Sequence, residues 1–200
     1  MQSRTLIARL IVLVFMMVVA FSPAAVNAAE ELRGFDLQTM HLVSKCRDEV
    51  VKRFEHLLNS GTLTVGQLFD TFYIPIPDTY PQKYHTQYDT IVDQNLQTLL
   101  DGYLNRNRRF VFFVITDRNG YLPTHNSKFS QPLTGDKEVD AKKNRTKLIF
   151  NDRTGLAAAR NTAQYLLQSY SRDTGEMMTD LSVPVFIRGK HWGCVRVGYK

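Results

Sequence analysis

A polar segment between residues 126 and 164 is the part of the sequence best suited to hold a charged small molecule. Arg145, Asp152 and Arg160 stand in this segment, each next to an asparagine. A guanidinium binds a carboxylate through two parallel hydrogen bonds, so Arg145 or Arg160 suits an organic acid. The same residues would also suit an Arg–Asp pair that pins the segment to the rest of the fold. Both interpretations stay open at this point.

His125 and Asn126 directly precede this segment, at the end of a predicted strand. Residues at the end of a strand, where a loop begins, often point towards a ligand. Histidine has several other roles, and here it could equally cap the following loop. The sequence therefore predicts a ligand site formed by His125, Asn126, Arg145, Asp152 and Arg160.

Catalytic chemistry has little support. Ser130, Asp152 and His125 could supply a nucleophile, an acid and a base, but no serine lies in the glycine pattern of a nucleophile elbow. His85 and His125 lack the spacing of a metal or haem site, and no Cys-x-x-Cys is present. We expect a protein that is not an enzyme and that holds neither a cofactor nor a metal.

The sequence has two cysteines, Cys46 in a predicted helix and Cys194 in the last predicted strand. Strict alternation along that strand puts Trp192, Cys194 and Arg196 on one face. The apolar residues between and after them would then face the ligand side, and Cys194 would face the N-terminal helix. A Cys46–Cys194 disulfide is one outcome, and in the chain-entropy model it would contribute roughly 4–5 kcal/mol. Two separate buried thiols are the alternative.

Hydrophobic periodicity predicts helices in the first half of the chain and strands in the second. The predicted helices are 36–58, capped by Asp36, a short helix at 64–69 capped by Thr64, 89–104, a turn near Glu138, and 155–160. The predicted strands are 110–116, 121–125, 165–171, 177–187 and 191–199. The two prolines at 75 and 77 make residues 73–77 an extended connector and not a central strand.

This order predicts an α+β domain in which N-terminal helices pack on a five-stranded antiparallel sheet. The segment 126–164 would cover the other face of the sheet. A curved sheet under an irregular cover encloses a cavity, which is a common way to hold a small ligand.

The N-terminus has the three parts of a secretory signal: Arg4 and Arg9, an apolar run to Phe21, and the small residues of Val26-Asn27-Ala28. We therefore expect a signal peptide at 1–28, an N-terminal helical region at 29–62 and a sensor domain at 63–200, in a periplasmic or secreted protein. An uncleaved N-terminal anchor is the alternative. The net charge of +6 is scattered, which together with export argues against a nucleic-acid partner.

Several ordered strings resemble a PAS/Cache-like sensor module of bacterial methyl-accepting chemotaxis proteins. They include Phe72-Tyr73-Ile74-Pro75-Ile76-Pro77, Tyr121-Leu122-Pro123-Thr124-His125-Asn126, Phe150-Asn151-Asp152-Arg153-Thr154-Gly155-Leu156, Leu166-Leu167-Gln168-Ser169-Tyr170 and His191-Trp192-Gly193. The similarity runs from about Val65 to Lys200. The long heptad-rich signalling hairpin of those receptors has no counterpart in this sequence.

The resemblance implies a module that senses a small molecule in chemotaxis-type signal transduction. The signal-like N-terminus adds export, and the arginines of the polar segment favour an organic or amino acid as the ligand. The implied partners are a membrane-bound receptor or kinase, with homodimer formation as a further option. A structural or interaction protein of the same fold, without a ligand, is the alternative.

Overall fold

A computed structural model describes residues 32–171 and 175–200. Its five α-helices are α1 (Gly34–Asn59), α2 (Val65–Leu68), α3 (Asp89–Leu104), α4 (Lys137–Lys143) and α5 (Arg153–Arg160), with a 3-10 turn at Ser127–Phe129. Its six strands are β1 (Ile74–Ile76), β2 (Lys83–His85), β3 (Phe110–Asp117), β4 (Leu166–Ser171), β5 (Met177–Ile187) and β6 (Lys190–Tyr199). The predicted signal peptide lies outside the described residues. Within the described ranges, no helix has the length and apolar character needed to cross a membrane.

The domain is α+β, as predicted, and its main sheet has four antiparallel strands in the order β3-β6-β5-β4. The prediction of a fifth strand at 121–125 is wrong for the described structure. Tyr121 makes only an isolated bridge, to Ile149. Leu122 completes this short pairing by exchanging backbone hydrogen bonds with residues 147 and 148.

Side-chain chemistry explains why residues 121–126 do not extend the sheet. Pro123 has no N–H to give to a strand ladder. At the edge of β3, the Asn126 side chain takes the place of a strand carbonyl, since its Oδ1 accepts from the Phe113 N–H at 2.8 Å. The outer edge of β3 is thus closed at this point by an amide and not by a backbone.

Helix α1 covers one face of the sheet. Its buried residues Val43, Val50 and Phe54 belong to one apolar core with Val183 and Val195 of the sheet. The predicted helix is confirmed, but its predicted cap is wrong: α1 begins at Gly34, two residues before Asp36, and no side chain caps it. Asp36 instead lies in the first turn and accepts a hydrogen bond from the Tyr199 hydroxyl at 2.7 Å, which fastens the helix to the end of β6.

Two smaller predictions about local structure are confirmed. Thr64 caps α2 in a full capping box with Gln67. The proline-rich segment stays out of the main sheet, because β1 pairs only with β2 in a two-stranded ribbon.

A β-bulge in β6 reverses the predicted faces of that strand. Val185 pairs with Gly193 and the next residue, Phe186, pairs with His191, so Trp192 is an extra residue between two pairs. Trp192 packs against Phe54 of α1, with ring centroids 5.0 Å apart. After the bulge the alternation has shifted by one. Val195, Val197 and Tyr199 therefore join the α1 core, whereas Arg196 lines the cavity on the opposite face.

Of the two outcomes left open for the cysteines, the structure has the separate buried thiols. Cys46 and Cys194 are both free and fully buried. Cys46 belongs to the α1 core, whereas Cys194 alternates with Arg196 on the cavity face and contacts the Thr116 hydroxyl at 3.3 Å. The sheet lies between the two sulfurs because the bulge turned Cys194 away from α1.

We expect neither thiol to react with iodoacetamide in the native protein, and two to react per chain in guanidinium without reductant. Thiolates are the reactive form, and burial raises the pKa of Cys194 to about 12 and that of Cys46 further still. Mass spectrometry of the alkylated chain measures both states. Fewer than two alkylated cysteines after denaturation would contradict the two-thiol structure.

Candidate functional site

A cavity of about 530 Å³ lies on the face of the sheet opposite α1. Strand residues form its floor, and the chain between Leu122 and α5 covers it. Its apolar wall consists of Val111, Phe112, Val114, Leu122, Phe129 and Phe150. Its charged and ionisable lining consists of His125, Arg145, Asp152, Arg153, Tyr170 and Arg196. Three phenylalanine rings and three guanidinium groups thus face the same space.

His125 lies almost completely buried between two of those rings. Its ring centroid is 4.8 Å from that of Phe129 and 6.5 Å from that of Phe112. Its Nδ1 accepts from the Asn126 N–H at 2.7 Å, which is the loop-capping role, while the ring also lines the cavity. Burial, with Arg145 and two lysines nearby, lowers the pKa of His125 to about 3. A neutral ring whose Nδ1 is an acceptor carries its proton on Nε2, so this nitrogen is a hydrogen-bond donor.

Burial of a neutral histidine makes the stability of the fold depend on pH. The unfolded chain takes up a proton near pH 6.5, whereas folded His125 stays neutral until about pH 3. Stability is therefore lost as pH falls through this window. We expect His125→Asn, whose Oδ1 can replace Nδ1 as acceptor, to remove about 2 kcal/mol of the wild-type loss between pH 7 and pH 5.

Urea unfolding at the two pH values measures this difference, with the exposed His41→Asn as the matched control. An equal loss in wild type and His125→Asn would show that folded His125 is protonated.

Arg145 reaches the cavity from a firmly held backbone. Its N–H donates to the Phe129 carbonyl at 2.7 Å, and its guanidinium carbon lies 5.6 Å from the Phe150 ring centroid. On either side of it, the carbonyls of Asn144 and Thr146 both accept from the Lys83 ammonium at 2.8 Å. Burial lowers the pKa of Lys83 to about 8. This lysine of β2 therefore fixes the position of the arginine without entering the cavity.

Asp152 and Arg153 line the cavity at the start of α5. Asp152 caps the helix by accepting from the Gly155 N–H at 2.9 Å. Gly155 is required at this point because a Cβ there would lie 2.4 Å from the Phe150 carbonyl oxygen. The start of α5 is thus pressed against Phe150, which brings the carboxylate and the aromatic wall to the same side of the cavity.

Asn126 and Arg160 do not line the cavity, in contrast to His125, Arg145 and Asp152. Asn126 is engaged with β3, as described above, and Arg160 is an exposed residue at the end of α5. The structure thus brings three of the five predicted residues together.

Arg196 is a charged lining residue that the sequence analysis did not predict. It pairs with Asp180 on the neighbouring strand: Nη2 and Nε lie 2.8 and 3.2 Å from the carboxylate Oδ2. Asp180 is fully buried and Arg196 is 6 % exposed. Burial raises the pKa of Asp180, and the charge of Arg196 opposes that rise. The available signal was Asp180 in β5 and Arg196 in β6, each a charged residue in the middle or second half of a strand. That both side chains lie on the cavity face depends on the bulge.

No protein-family model matches the chain, and no curated protein matches it. Among solved structures, the chain is similar to an extracellular ligand binding receptor from Desulfohalobium retbaense, with 18 % identity and a TM-score of 0.38. The similarity covers 84 % of this chain and 26 % of that one. The chain therefore spans about a quarter of the length of the protein it resembles.

Proposed function

We propose that this protein is an exported sensor domain that binds a small organic carboxylate in the cavity above the sheet. The observation that carries the proposal is the lining itself, which combines three phenylalanine rings with three arginines around a cavity of about 530 Å³. Cavities of this size, with mostly apolar walls and a few polar groups, are typical of small-molecule sites.

The charges of the described lining residues favour an anion. Asp180 balances Arg196, and the other charged side chains among residues 32–171 and 175–200 that line the cavity are Arg145, Arg153 and Asp152. The neutral His125 adds a donor and no negative charge. An organic acid could place its carboxylate near Arg145 and His125 and its hydrocarbon part against the phenylalanines.

Signalling belongs to the proposal through the sequence resemblance to chemotaxis sensor modules. In that role the bound state would be read by a membrane-bound receptor or kinase, and the protein would act by binding, without turnover. Export rests on the signal-like N-terminus.

A thermal-shift screen tests binding, because a ligand that prefers the folded state raises the midpoint of unfolding. We expect alkanoates and benzoate to stabilise the protein, and their uncharged amides to have a smaller effect. The absence of a saturable shift with any carboxylate would favour the alternative of a structural protein of the same fold.

Arg145→Ala should raise the Kd for the carboxylate that binds best in this screen by about ten- to a hundredfold, the effect of one lost charge-assisted contact. Arg160→Ala is the matched control, since Arg160 does not line the cavity. Isothermal titration calorimetry measures both. Equal affinities of wild type and Arg145→Ala would remove Arg145 from the site.

A further inference from the structure

Asp180 uses only some of the N–H donors of Arg196, and the others face the cavity. A guanidinium has five N–H donors, and Asp180 engages the edge formed by Nε and Nη2. Within residues 32–171 and 175–200, Nη1 makes no hydrogen bond. The Arg196 side chain is 8 % exposed and lines the cavity, so the donors that Asp180 does not use are available to a bound molecule.

The Phe112 ring lies near both Arg196 and His125. The guanidinium carbon of Arg196 lies 6.0 Å from the Phe112 ring centroid, and the His125 ring centroid lies 6.5 Å from the same point. Arg145 is close enough to His125 to lower the pKa of that histidine. The cavity therefore has two donor groups near the Phe112 ring, which are Arg145 with His125 and, apart from them, Arg196. We call these two groups its two ends.

The two ends differ in net charge. At the Arg196 end, the fully buried carboxylate of Asp180 already balances the guanidinium. A second carboxylate there would add an uncompensated negative charge to a buried site, which is costly. An uncharged oxygen can accept the remaining N–H donors without that cost.

Building on the proposed function, we infer that the ligand is a carboxylate whose far end carries an uncharged carbonyl oxygen, which Arg196 binds across the ring of Phe112. The carboxylate lies near Arg145 and His125, and the hydrocarbon spacer lies along Phe112. Asp180 is a positioning residue that holds the guanidinium in place.

Calorimetric titrations with three probe series test this inference: n-alkanoates, methyl-ketone oxoalkanoates and α,ω-dicarboxylates, each five to eight carbons long. The range of lengths allows for the unknown distance between the two ends. At the best length, we expect the oxoalkanoate to bind about tenfold more tightly than the alkanoate and than the dicarboxylate.

The double variant Asp180→Leu/Arg196→Met removes the donors together with their counter-ion, and it should bind alkanoates as before but lose the preference for the ketone. Arg196→Lys, which keeps an ion pair and loses the fork of donors, serves the same purpose if the double variant does not fold. Arg160→Gln, at the end of α5 and outside the cavity, is the control that keeps the preference.

Equal affinity for alkanoate and oxoalkanoate at every length, or a preference that survives the loss of Arg196, would overturn the inference and leave the proposed function intact. If no member of any series binds, both are refuted.

Discussion

Asp180→Ala should lower the free energy of unfolding by about 3–5 kcal/mol, because it leaves the Arg196 guanidinium buried without its counter-ion. Asp180 is the fully buried partner, and both hydrogen-bonding nitrogens of the pair reach its carboxylate.

The cost comes from the unpaired charge and not from the loss of attraction alone. An apolar pair of similar volume often replaces a buried ion pair at little cost. We therefore expect Asp180→Leu/Arg196→Met to have a free energy of unfolding within about 1 kcal/mol of wild type, or above it.

Urea unfolding followed by circular dichroism measures all three proteins. Glu55→Ala is the control, because it removes the partner of Arg188 in an exposed pair 3.4 Å apart, which should change stability by less than about 1 kcal/mol. If Asp180→Ala were as mild as Glu55→Ala, the pair would not be buried as the structure has it.

Elements with strong local signals could be predicted from the sequence. Helix α3 and strand β5 have the predicted bounds, and α1 differs from its prediction by two residues at the start and one at the end. In each of these elements, the hydrophobic periodicity and the turn or capping residues at its ends predict the same structure.

The outcome at residues 121–125 could not be read locally. The Asn119-Gly120 pair directly before them is typical of a hairpin turn. Their partner is nevertheless decided by a side chain that lies outside the segment, because Asn126 closes the β3 edge that they would have paired with. The candidate site also combines residues with local signals and residues without them. Arg145, in the segment that covers the sheet, could be predicted from composition, whereas the position of Arg196 depends on the register of β6.

The bulge at Trp192 is the feature that most changed the predicted site. A single extra residue moves every later side chain of a strand to the opposite face. Gly193 allows the bulge, since a Cβ at this position would lie 2.0 Å from the Thr116 carbonyl oxygen of β3. The sequence His191-Trp192-Gly193 contains the bulge, but alternation alone does not reveal it.

Trp192→Ala should lower the free energy of unfolding by about 3–5 kcal/mol, the usual cost of removing a large buried aromatic side chain. Trp192 is 1 % exposed, and its ring lies 5.0 Å from Phe54 and 6.2 Å from Tyr88, measured between centroids. The loss would leave a cavity where α1, α3 and the sheet meet.

Trp192 also makes one hydrogen bond, and its contribution can be measured apart from that of packing by substituting phenylalanine. Its Nε1 donates to the carbonyl of Leu68 at 2.9 Å, the last residue of α2, where helix carbonyls lack partners within the helix. Trp192→Phe keeps most of the packing and loses this hydrogen bond, so we expect it to lower the free energy of unfolding by about 1–3 kcal/mol.

Circular dichroism in urea measures both variants, since the tryptophan fluorescence is lost with the only tryptophan. If the free energy of unfolding of Trp192→Ala were within 1 kcal/mol of wild type, the Trp192 side chain would lie outside the α1 core. That result would also contradict the bulge, and with it the position of Arg196 on the cavity face.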